Sequence, residues 1–321
     1  MSAYFLGVDG GQSSTTAILG DETGRVLGFG LGGPCNEVAS AVQSSVGEAC
    51  QQAGLGAQDM RFSSACLGFS GGPADKESIV RQTLSTDRLL ITDDAAIALA
   101  GATGGEPGLV VIAGTGSIAW GRNAVGRTAR AGGWGYLFGD EGGALWIARQ
   151  ALRAALRWEE GWGAPTSLRA RLLDATATRN VNDLLHRCYT AEFPRPRVAG
   201  FSILVNHAAE SGDPAALKIL DDAARELAIL AIAVRRQLFA ARGAGQQDPT
   251  LVAYSGRVFE SRILLSRFRD WMAPESGVRV IPPLFPLHGP AMGALLEAYR
   301  VAGAEQACRG LLHATRPKHF P

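Results

Sequence analysis

Two segments of the chain follow one plan: an apolar strand, then glycine and hydroxyl residues, then a second strand. Residues 6–19 read LGVDGGQSSTTAIL, and residues 110–120 read VVIAGTGSIAW. Glycine lets a backbone bring its N–H groups close to phosphate oxygens, and serine or threonine adds hydroxyl donors. Either segment alone also fits an ordinary hairpin turn. Their repetition within one chain favours a pair of phosphate-binding hairpins.

Transfer of a phosphoryl group requires donors for the phosphate, neutralisation of its charge and a base for the acceptor hydroxyl. Thr15 and Thr115 are the candidate hydroxyl contacts to phosphate. Asp9 is the candidate Mg²⁺ ligand, because Mg²⁺ prefers oxygen donors and keeps several waters, so that one carboxylate suffices. The alternative for Asp9 is an Asx turn in an ordinary hairpin. The other hairpin residues predicted to bind the nucleotide are Gly10, Gly11, Ser13, Gly114 and Gly116.

A P-loop is absent from the sequence. The three lysines are Lys76, Lys218 and Lys318, and none of them follows a glycine. The pattern G-x-x-x-x-G-K-S/T, whose lysine reaches the nucleotide phosphates, therefore does not occur. A nucleoside triphosphate would have to bind through another architecture.

The composition narrows the class of protein. A chain of 321 residues with 46% hydrophobic and 19% charged residues is typical of a globular protein with two lobes. A net charge of +1 gives no reason to expect nucleic acid or a membrane as a partner. Five scattered cysteines fit reduced thiols, and five histidines form no ligand cluster, so that structural zinc is not expected. With no secretory signal ahead of the first strand, we expect a cytoplasmic protein.

Apolar periodicity and turn residues predict an alternation of strands and helices. Predicted strands cover residues 4–9, 15–20, 25–31, 65–69, 89–92 and 250–254, and predicted helices cover residues 37–53, 94–102, 144–158, 215–242 and 291–301. This order indicates an α/β fold of two lobes with a cleft between them. The first lobe is expected at residues 1–112, completed by a C-terminal helix at about 297–313, and the second at residues 113–296.

The ordered set of motifs resembles the superfamily of sugar kinases, actin and heat-shock chaperone ATPases. Within it, the chain is most similar to the N-acetylglucosamine kinase and BadF-type ATPase family. The segments that carry this resemblance are Asp9–Gly11 with Ser13–Thr16, Gly33–Asn36, Ser70–Gly72, Thr92–Ala96, Gly114–Ser117, Gly132–Gly135 with Gly139–Gly142, and Ser255–Phe259. The resemblance implies a two-lobed actin-like ATPase (ribonuclease H-like) fold with the nucleotide and sugar in its cleft. It also implies ATP and Mg²⁺ as cofactors, an amino-sugar substrate and a homodimer.

The resemblance places the catalytic aspartate at Asp94, at the end of a predicted strand. On local grounds alone, Asp93 and Asp94 are equally good helix N-caps, and spacing does not separate them. The match to the family favours Asp94 as the general base.

Further residues match family positions that hold an amino sugar: Asn36, Ser70, Gly71, Gly133 and Asp140. Glu141 fits either a sugar contact or a favourable charge near a helix start, and Trp134 fits either a pocket wall or the core. Adenine is expected over Gly256 with Phe259 nearby, although Phe259 fits plain core equally well. Two positions depart from the family: Gly143 stands where a serine is frequent, and Ser255 where a glycine is frequent.

Together these features predict an ATP-dependent kinase that phosphorylates the primary hydroxyl of an amino sugar, with N-acetylglucosamine as the first candidate. A kinase for glucosamine or another hexose is the nearest alternative. An ATPase that activates reductases and dehydratases, and whose dimer holds an iron–sulfur cluster through cysteines, is another, although the cysteines here are not at obvious ligand spacing. A non-enzymatic sugar sensor is the third, although no helix-turn-helix segment is evident.

Overall fold

The structure of the protein is a computed structural model that describes residues 3–56, 61–239, 250–285 and 289–314. The chain divides into two compact units: unit 1 comprises Met1–Val110 with Pro282–Pro321, and unit 2 comprises Val111–Ile281. The sequence assigns residues 282–296 to the second lobe, but in the structure they belong to unit 1. The reason is a helix that begins at Gly289 and packs against the first strand.

The elements are numbered in chain order. The strands are β1 (Tyr4–Gly10), β2 (Thr15–Asp21), β3 (Val26–Gly32), β4 (Arg61–Phe62), β5 (Ser64–Phe69), β6 (Ser85–Thr86), β7 (Leu89–Asp93), β8 (Gly108–Ala113), β9 (Ser117–Arg122), β10 (Thr128–Gly132), β11 (Thr250–Ser255) and β12 (Val278–Ile281). The α-helices are α1 (Val38–Gln52), α2 (Glu77–Thr83), α3 (Asp94–Thr103), α4 (Ala144–Glu159), α5 (Leu168–Thr176), α6 (Val181–Cys188), α7 (Arg195–Ala199), α8 (Ser202–Glu210), α9 (Pro214–Leu238), α10 (Arg262–Met272), α11 (Gly289–Ala302) and α12 (Glu305–Ala314). Short 3₁₀ turns occupy Cys35–Glu37 and Arg257–Glu260.

The predicted elements are confirmed to within a few residues. The helix predicted at 215–242 is α9, which ends at Leu238, and residues 240–242 lie outside the described part. Its start follows from the sequence, because the Asp213 side chain accepts the N–H groups of Ala215 and Ala216, and a proline occupies the first turn. The single C-terminal helix expected at about 297–313 is instead two helices, α11 and α12.

Unit 1 is built on a five-stranded sheet in the order β3-β2-β1-β5-β7. β1 pairs antiparallel with β2, whereas β1, β5 and β7 run parallel. Helix α1 packs on the core that contains Val8, and α11 packs on the core that contains Phe5, so that β1 is buried on both faces. The carboxyl ends of the three parallel strands meet at one edge, where β1 ends at Gly10, β5 at Phe69 and β7 at Asp93.

Unit 2 repeats this topology. Its sheet has the order β10-β9-β8-β11-β12, in which a three-stranded meander is followed by two later strands, as in unit 1. Helix α9 packs against β9 and β10 and also against α8 and α10. In the part of the chain that the structure describes, no helix is both long enough and apolar enough to cross a membrane.

Glycines hold α11 against β1 and α3 in unit 1. A Cβ atom at Gly7 of β1 would overlap the Leu295 backbone of α11, one at Gly101 of α3 would overlap the Gly289 carbonyl, and one at Gly293 would overlap the Ile97 carbonyl. These elements therefore approach backbone to backbone, and any side chain at these three positions would force them apart.

We expect Gly293→Ala to lower the free energy of unfolding by at least about 2 kcal/mol, because the methyl group has no space to enter. Gly47→Ala in α1 is the matched control, since a Cβ atom there would meet nothing within 4 Å. That change should raise the free energy of unfolding by about 0.5–1 kcal/mol through helix propensity. Urea unfolding of both variants measures the difference, and equal effects would refute the close contact.

Candidate active site

The first hairpin loop is tied to two neighbouring loops of unit 1. The Cys35 N–H donates to the Gly11 carbonyl over 3.0 Å. The Ser70 N–H donates to the Gly10 carbonyl, also over 3.0 Å. One of these loops carries Asn36, and the other begins with Ser70 itself. Unit 1 therefore brings predicted phosphate-binding and predicted sugar-binding residues together.

The hydroxyl groups of the hairpins are not equally available. Thr15 is fully buried, and its hydroxyl donates to the Gly33 carbonyl over 2.9 Å. The structure therefore gives this predicted phosphate contact a role in the fold instead. Ser13 and Thr115 are exposed, and neither side chain has a hydrogen bond within the described ranges. Their hydroxyls therefore remain free to meet a ligand.

Two carboxyl groups lie at the strand edge of unit 1. Asp9 is the penultimate residue of β1 and pairs in register with Gly68 of β5. Asp94 is the first residue of α3 and directly follows β7, the neighbour of β5 on its other side. The Ser70 hydroxyl donates to the Asp94 carboxylate, which also accepts the Ala95 N–H. Parallel strands thus deliver these side chains to one end of the sheet.

Burial changes the acidity of both carboxyl groups. It raises the pKa of Asp9 to about 7, and the nearby charge of Asp94 raises it as well. Burial likewise raises the pKa of Asp94, against the opposing effect of its hydrogen bond from Ser70. A carboxylate with a raised pKa is a stronger proton acceptor, which suits a general base.

The structure distinguishes the two neighbouring aspartates. Asp93 occupies the N-cap position of α3, but its side chain makes no capping hydrogen bond. Its carboxylate lies on the Gly72 side, 3.3 Å from where a Cβ atom of Gly72 would stand. Asp94 is the one that bonds to Ser70 and interacts with Asp9. The geometry therefore agrees with Asp94 rather than Asp93 as the candidate base.

Asp9 is the residue of unit 1 that best suits a cation. Its partly buried carboxylate receives no hydrogen bond from any described residue, so that both oxygens lack a donor. A hard cation such as Mg²⁺, which binds through one carboxylate plus waters and phosphate oxygens, fits this environment. Among the described residues, no group of three or more His, Cys, Asp or Glu side chains could hold a metal ion by itself.

A cavity of about 520 Å³ opens beside these loops within unit 1. Its size is in the usual range for small-molecule sites, about 300–1,000 Å³. The lining residues are Gln12, Cys35, Asn36, Val38, Ser70, Ala74, Asp75, Lys76 and Ile79. The loop between β5 and α2 supplies four of them, and it turns sharply, with positive φ at Gly71 (81°), Gly72 (85°) and Asp75 (62°). Two predicted sugar residues, Asn36 and Ser70, thus line one cavity.

Sequence reasoning missed three polar residues of this cavity: Gln12, Asp75 and Lys76. The Lys76 ammonium donates to the Gly72 carbonyl and lies 5.6 Å from the centre of the Phe69 ring. Two features of the sequence could have drawn attention to Lys76. Lysine is rare in this chain, which has three, and Lys76 follows the Ser70–Gly72 motif by four residues.

In unit 2, the second hairpin packs against the loop that precedes α4. The carbonyls of Gly114 and Thr115 accept the first N–H groups of α4, over 2.8 and 3.1 Å. The Asp140 carboxylate accepts the Ser117 N–H over 3.3 Å and lies against Gly116. A Cβ atom at Gly143 would lie 2.9 Å from the Thr115 carbonyl oxygen, which explains why a serine is not accommodated there.

The backbone conformation of Asp140 sets it apart from its neighbours. Its φ is +63°, in the left-handed region that a non-glycine residue rarely adopts. Such a conformation is retained at functional sites where the surrounding structure enforces it. Burial raises the pKa of this carboxyl group, and the charge of Glu141 adds to the rise. Asp140 is thus held against the second hairpin at a conformational cost.

Trp134 is not a core residue. Its side chain is 64% exposed, and the Arg130 guanidinium lies 4.7 Å from its ring centre. The preceding Gly133 has a φ of +71°, and its N–H donates to the Ser117 carbonyl. The wall of a ligand pocket therefore remains the alternative for Trp134. Glu141 is not the N-cap of α4, a position that Gly143 occupies.

The expected adenine site is only partly consistent with the structure. Gly256 is exposed, with a φ of +98°, and its backbone abuts Ala113 at the end of β8, where no side chain would fit. Phe259, in contrast, is 5% exposed and packs between Tyr254 and Phe268, with ring centres 5.1 and 5.3 Å away. Phe259 is therefore a core residue, and its predicted contact with the nucleotide is not supported.

Two units with one strand order, each opening on a glycine-rich hairpin, define the actin-like ATPase fold, the class to which sugar kinases belong. The chain is a member of the BadF/BadG/BcrA/BcrD ATPase family, which it matches over residues 6–298.

Three similar proteins illustrate this membership. The chain is 34% identical over 236 residues to the N-acetylmuramic acid/N-acetylglucosamine kinase of Clostridium acetobutylicum, with 70% of this chain and 76% of that protein covered. It is 30% identical to the N-acetyl-D-glucosamine kinase of Dictyostelium discoideum, with 82% and 87% covered. The crystal structure of a candidate N-acetylglucosamine kinase from Chromobacterium violaceum superposes with a TM-score of 0.71 at 30% identity, with 92% and 98% covered.

The raised pKa of Asp9 predicts a pH dependence of stability in protein freed of divalent cations by EDTA. Because the folded state binds this proton more tightly than the unfolded state, stability is fully present below about pH 4 and declines as the pH rises to about 7. Asp9→Asn should remove that decline, so that its advantage over the wild type grows by about 2–3 kcal/mol between pH 5 and 8. Urea unfolding between pH 5 and 8 measures this gap. Asp270→Asn, which alters an exposed carboxylate, should show no such growth.

Proposed function

We propose that the protein uses ATP to phosphorylate the exocyclic primary hydroxyl of an amino sugar, with N-acetylglucosamine as its substrate. The observation that carries this proposal is the pair Asp9 and Asp94 at one strand edge, beside a cavity lined by Asn36 and Ser70. One carboxylate is suited to a cation and the other to a proton, as transfer of a phosphoryl group to an alcohol requires.

In this proposal, Asp94 accepts the proton of the sugar hydroxyl as that oxygen attacks the γ-phosphorus of ATP. The bond between the γ-phosphorus and the bridging oxygen breaks, and ADP leaves with the electron pair. The hydrogen bond from Ser70 holds the Asp94 carboxylate in one orientation. The raised pKa of Asp94 favours its role as acceptor.

Asp9 is the proposed magnesium residue. Mg²⁺ bound there would neutralise charge on the phosphates as it builds up during transfer. The partly buried carboxylate, which lacks hydrogen-bond donors among the described residues, supports this role, because a cation would supply the positive charge that the protein does not.

Recognition of the two substrates is assigned to loops in both units. In unit 1 we propose Asn36, Ser70 and Gly71 for the sugar, and Gly10, Gly11 and Ser13 for the nucleotide. In unit 2 we propose Gly133, Trp134, Asp140 and Glu141 for the sugar, and Gly114, Thr115, Gly116 and Gly256 for the nucleotide. The free hydroxyls of Ser13 and Thr115 and the exposed ring of Trp134 support these assignments.

The choice of N-acetylglucosamine rests on the named activities of the relatives from C. acetobutylicum and D. discoideum. A cytoplasmic location is consistent with the five free cysteines. The homodimer stays a prediction that follows from the family resemblance.

ADP release by the purified protein with Mg-ATP tests the proposal. The panel is N-acetylglucosamine, glucosamine, N-acetylmannosamine, glucose and no sugar. We expect stimulation by N-acetylglucosamine above all other members of the panel. Strong stimulation by glucosamine alone would change the named substrate, and hydrolysis indifferent to every sugar would refute the kinase.

Asp94→Asn should lower kcat by about 10²–10⁴-fold, because the amide cannot accept the proton. The matched control is Asp93→Asn, which alters the adjacent carboxylate that does not bond to Ser70. It should retain kcat within a few-fold of the wild type, and circular dichroism checks that both variants are folded. A larger loss in the Asp93 variant would move the base to that residue.

A further inference from the structure

The repeated topology gives unit 2 a counterpart of the loop that carries Ser70 in unit 1. The strand orders place β11 in unit 2 where unit 1 has β5, next to the strand that leads into each hairpin. The chain reads FSGG at residues 69–72, where β5 ends, and YSGR at residues 254–257, where β11 ends. An arginine, Arg257, therefore stands where unit 1 has Gly72.

Arg257 directly follows a residue that touches the second hairpin. A Cβ atom at Gly256 would overlap the carbonyl of Ala113, the last residue before that hairpin turns. Arg257 then opens a 3₁₀ turn, whose Phe259 is buried and donates its N–H to the Gly256 carbonyl over 3.1 Å. The backbone is thus held on both sides, and the Arg257 side chain starts from a fixed position beside the hairpin.

The side chain of Arg257 is free to meet a ligand. It is exposed, and it forms no hydrogen bond or ion pair with any residue that the structure describes. Arg235 of the same unit, in contrast, pairs with Glu275. A guanidinium carries five N–H donors in a planar fork, which suits two parallel hydrogen bonds to a phosphate.

The second hairpin needs a positive charge if it is to bind phosphate. Residues 114–116 contribute no cationic side chain, and the Asp140 carboxylate lies against Gly116. A phosphate at this hairpin would therefore meet a negative charge. Lys218 is the lysine of unit 2, and it pairs with Asp222 on its own helix. Arg257, next to the glycine that abuts the hairpin, is placed to supply the missing charge.

We propose that Arg257 is a nucleotide-binding residue whose guanidinium holds the diphosphate group of the phosphoryl donor. This inference rests on the proposed use of ATP and adds the residue that binds the phosphates in unit 2. The contact is to the part of ATP that leaves as ADP, so that it is present before and during the transfer. Because phosphates rather than the base accept the hydrogen bonds, the same contact serves ATP and GTP.

Binding of ADP and AMP to the full-length protein in the presence of Mg²⁺ tests this role. Isothermal titration calorimetry measures ADP, and displacement of ADP measures AMP. Arg257→Gln should weaken ADP binding by about 10- to 100-fold and AMP binding by clearly less, because AMP lacks the second phosphate. Arg257→Lys should retain part of the affinity, since it keeps the charge but loses the planar fork.

The matched control is Arg269→Gln, which removes an exposed arginine in the last turn of α10. It should leave the affinity for ADP unchanged. Raising the salt concentration should weaken ADP binding to the wild type more than to the Arg257→Gln variant, because screening acts on the charge that the variant lacks.

Steady-state kinetics give a second readout. Arg257→Gln should raise the KM for ATP and the KM for GTP by the same factor and leave kcat within a few-fold of the wild type. This pattern is expected of a contact that is equally strong in bound ATP and in the transition state. A lower kcat with an unchanged KM would assign Arg257 to the transferred phosphoryl group and overturn the proposal.

The outcomes separate this inference from the proposed function. If a sugar stimulates ADP release but Arg257→Gln binds ADP as the wild type does, Arg257 does not bind phosphate and the kinase proposal stands. An equal loss of affinity for ADP and AMP would place the guanidinium on the nucleoside, again without affecting the kinase proposal. If the wild type binds no ADP and no sugar stimulates ADP release, both proposals fail together.

Discussion

The close packing of α11 against β1 and α3 is the contact on which the geometry of unit 1 depends. Gly7 lies two residues before Asp9 in β1, and Gly101 lies in the helix that Asp94 begins. Because these glycines and Gly293 let backbones touch, a single helix fixes both the strand that ends in one carboxylate and the helix that starts with the other. Displacing α11 would therefore disturb the pair of carboxylates without touching either one.

The two carboxylates share an environment that no surface pair could provide. Each is withdrawn from water, and the charge of Asp94 raises the pKa of Asp9. Keeping both ionised at neutral pH is unfavourable unless a cation is present. In the proposed kinase, Mg²⁺ bound at Asp9 would relieve this repulsion. Part of the affinity for the cation would then come from the unfavourable charge pair of the folded protein.

Local patterns predicted much of this protein. The strand and helix positions, the repeated hairpins and the start of α9 at Asp213 all follow from spacing and capping rules over a few residues. The assignment of Asp94 as the general base came from the resemblance to the family, since capping rules do not distinguish it from Asp93. Its hydrogen bond from Ser70 could not be predicted from local rules, because the two residues are 24 positions apart and only the folded sheet brings them together.

What sequence reasoning missed depends on distant partners. Thr15 has the right type for a phosphate contact, but the Gly33 carbonyl lies across the neighbouring strand and takes its hydroxyl. Phe259 stands in a ligand-like motif, yet its ring packs between Tyr254 and Phe268. Lys76 reaches the cavity because three residues of its loop adopt positive φ, which the apolar periodicity of the sequence does not predict.

The order in which the chain is synthesised gives the position of α11 a further consequence. β1 leaves the ribosome before unit 2, whereas the helix that covers it follows only after the whole of unit 2, residues 111–281, has emerged. Unit 2 is continuous in sequence and can close its own core in the meantime. The apolar face of the first sheet, with Phe5 and Ile18, remains exposed until α11 contributes Tyr299. Nascent chains that stall before that helix would expose an aggregation-prone apolar surface, so that the rate of translation affects the yield of folded protein.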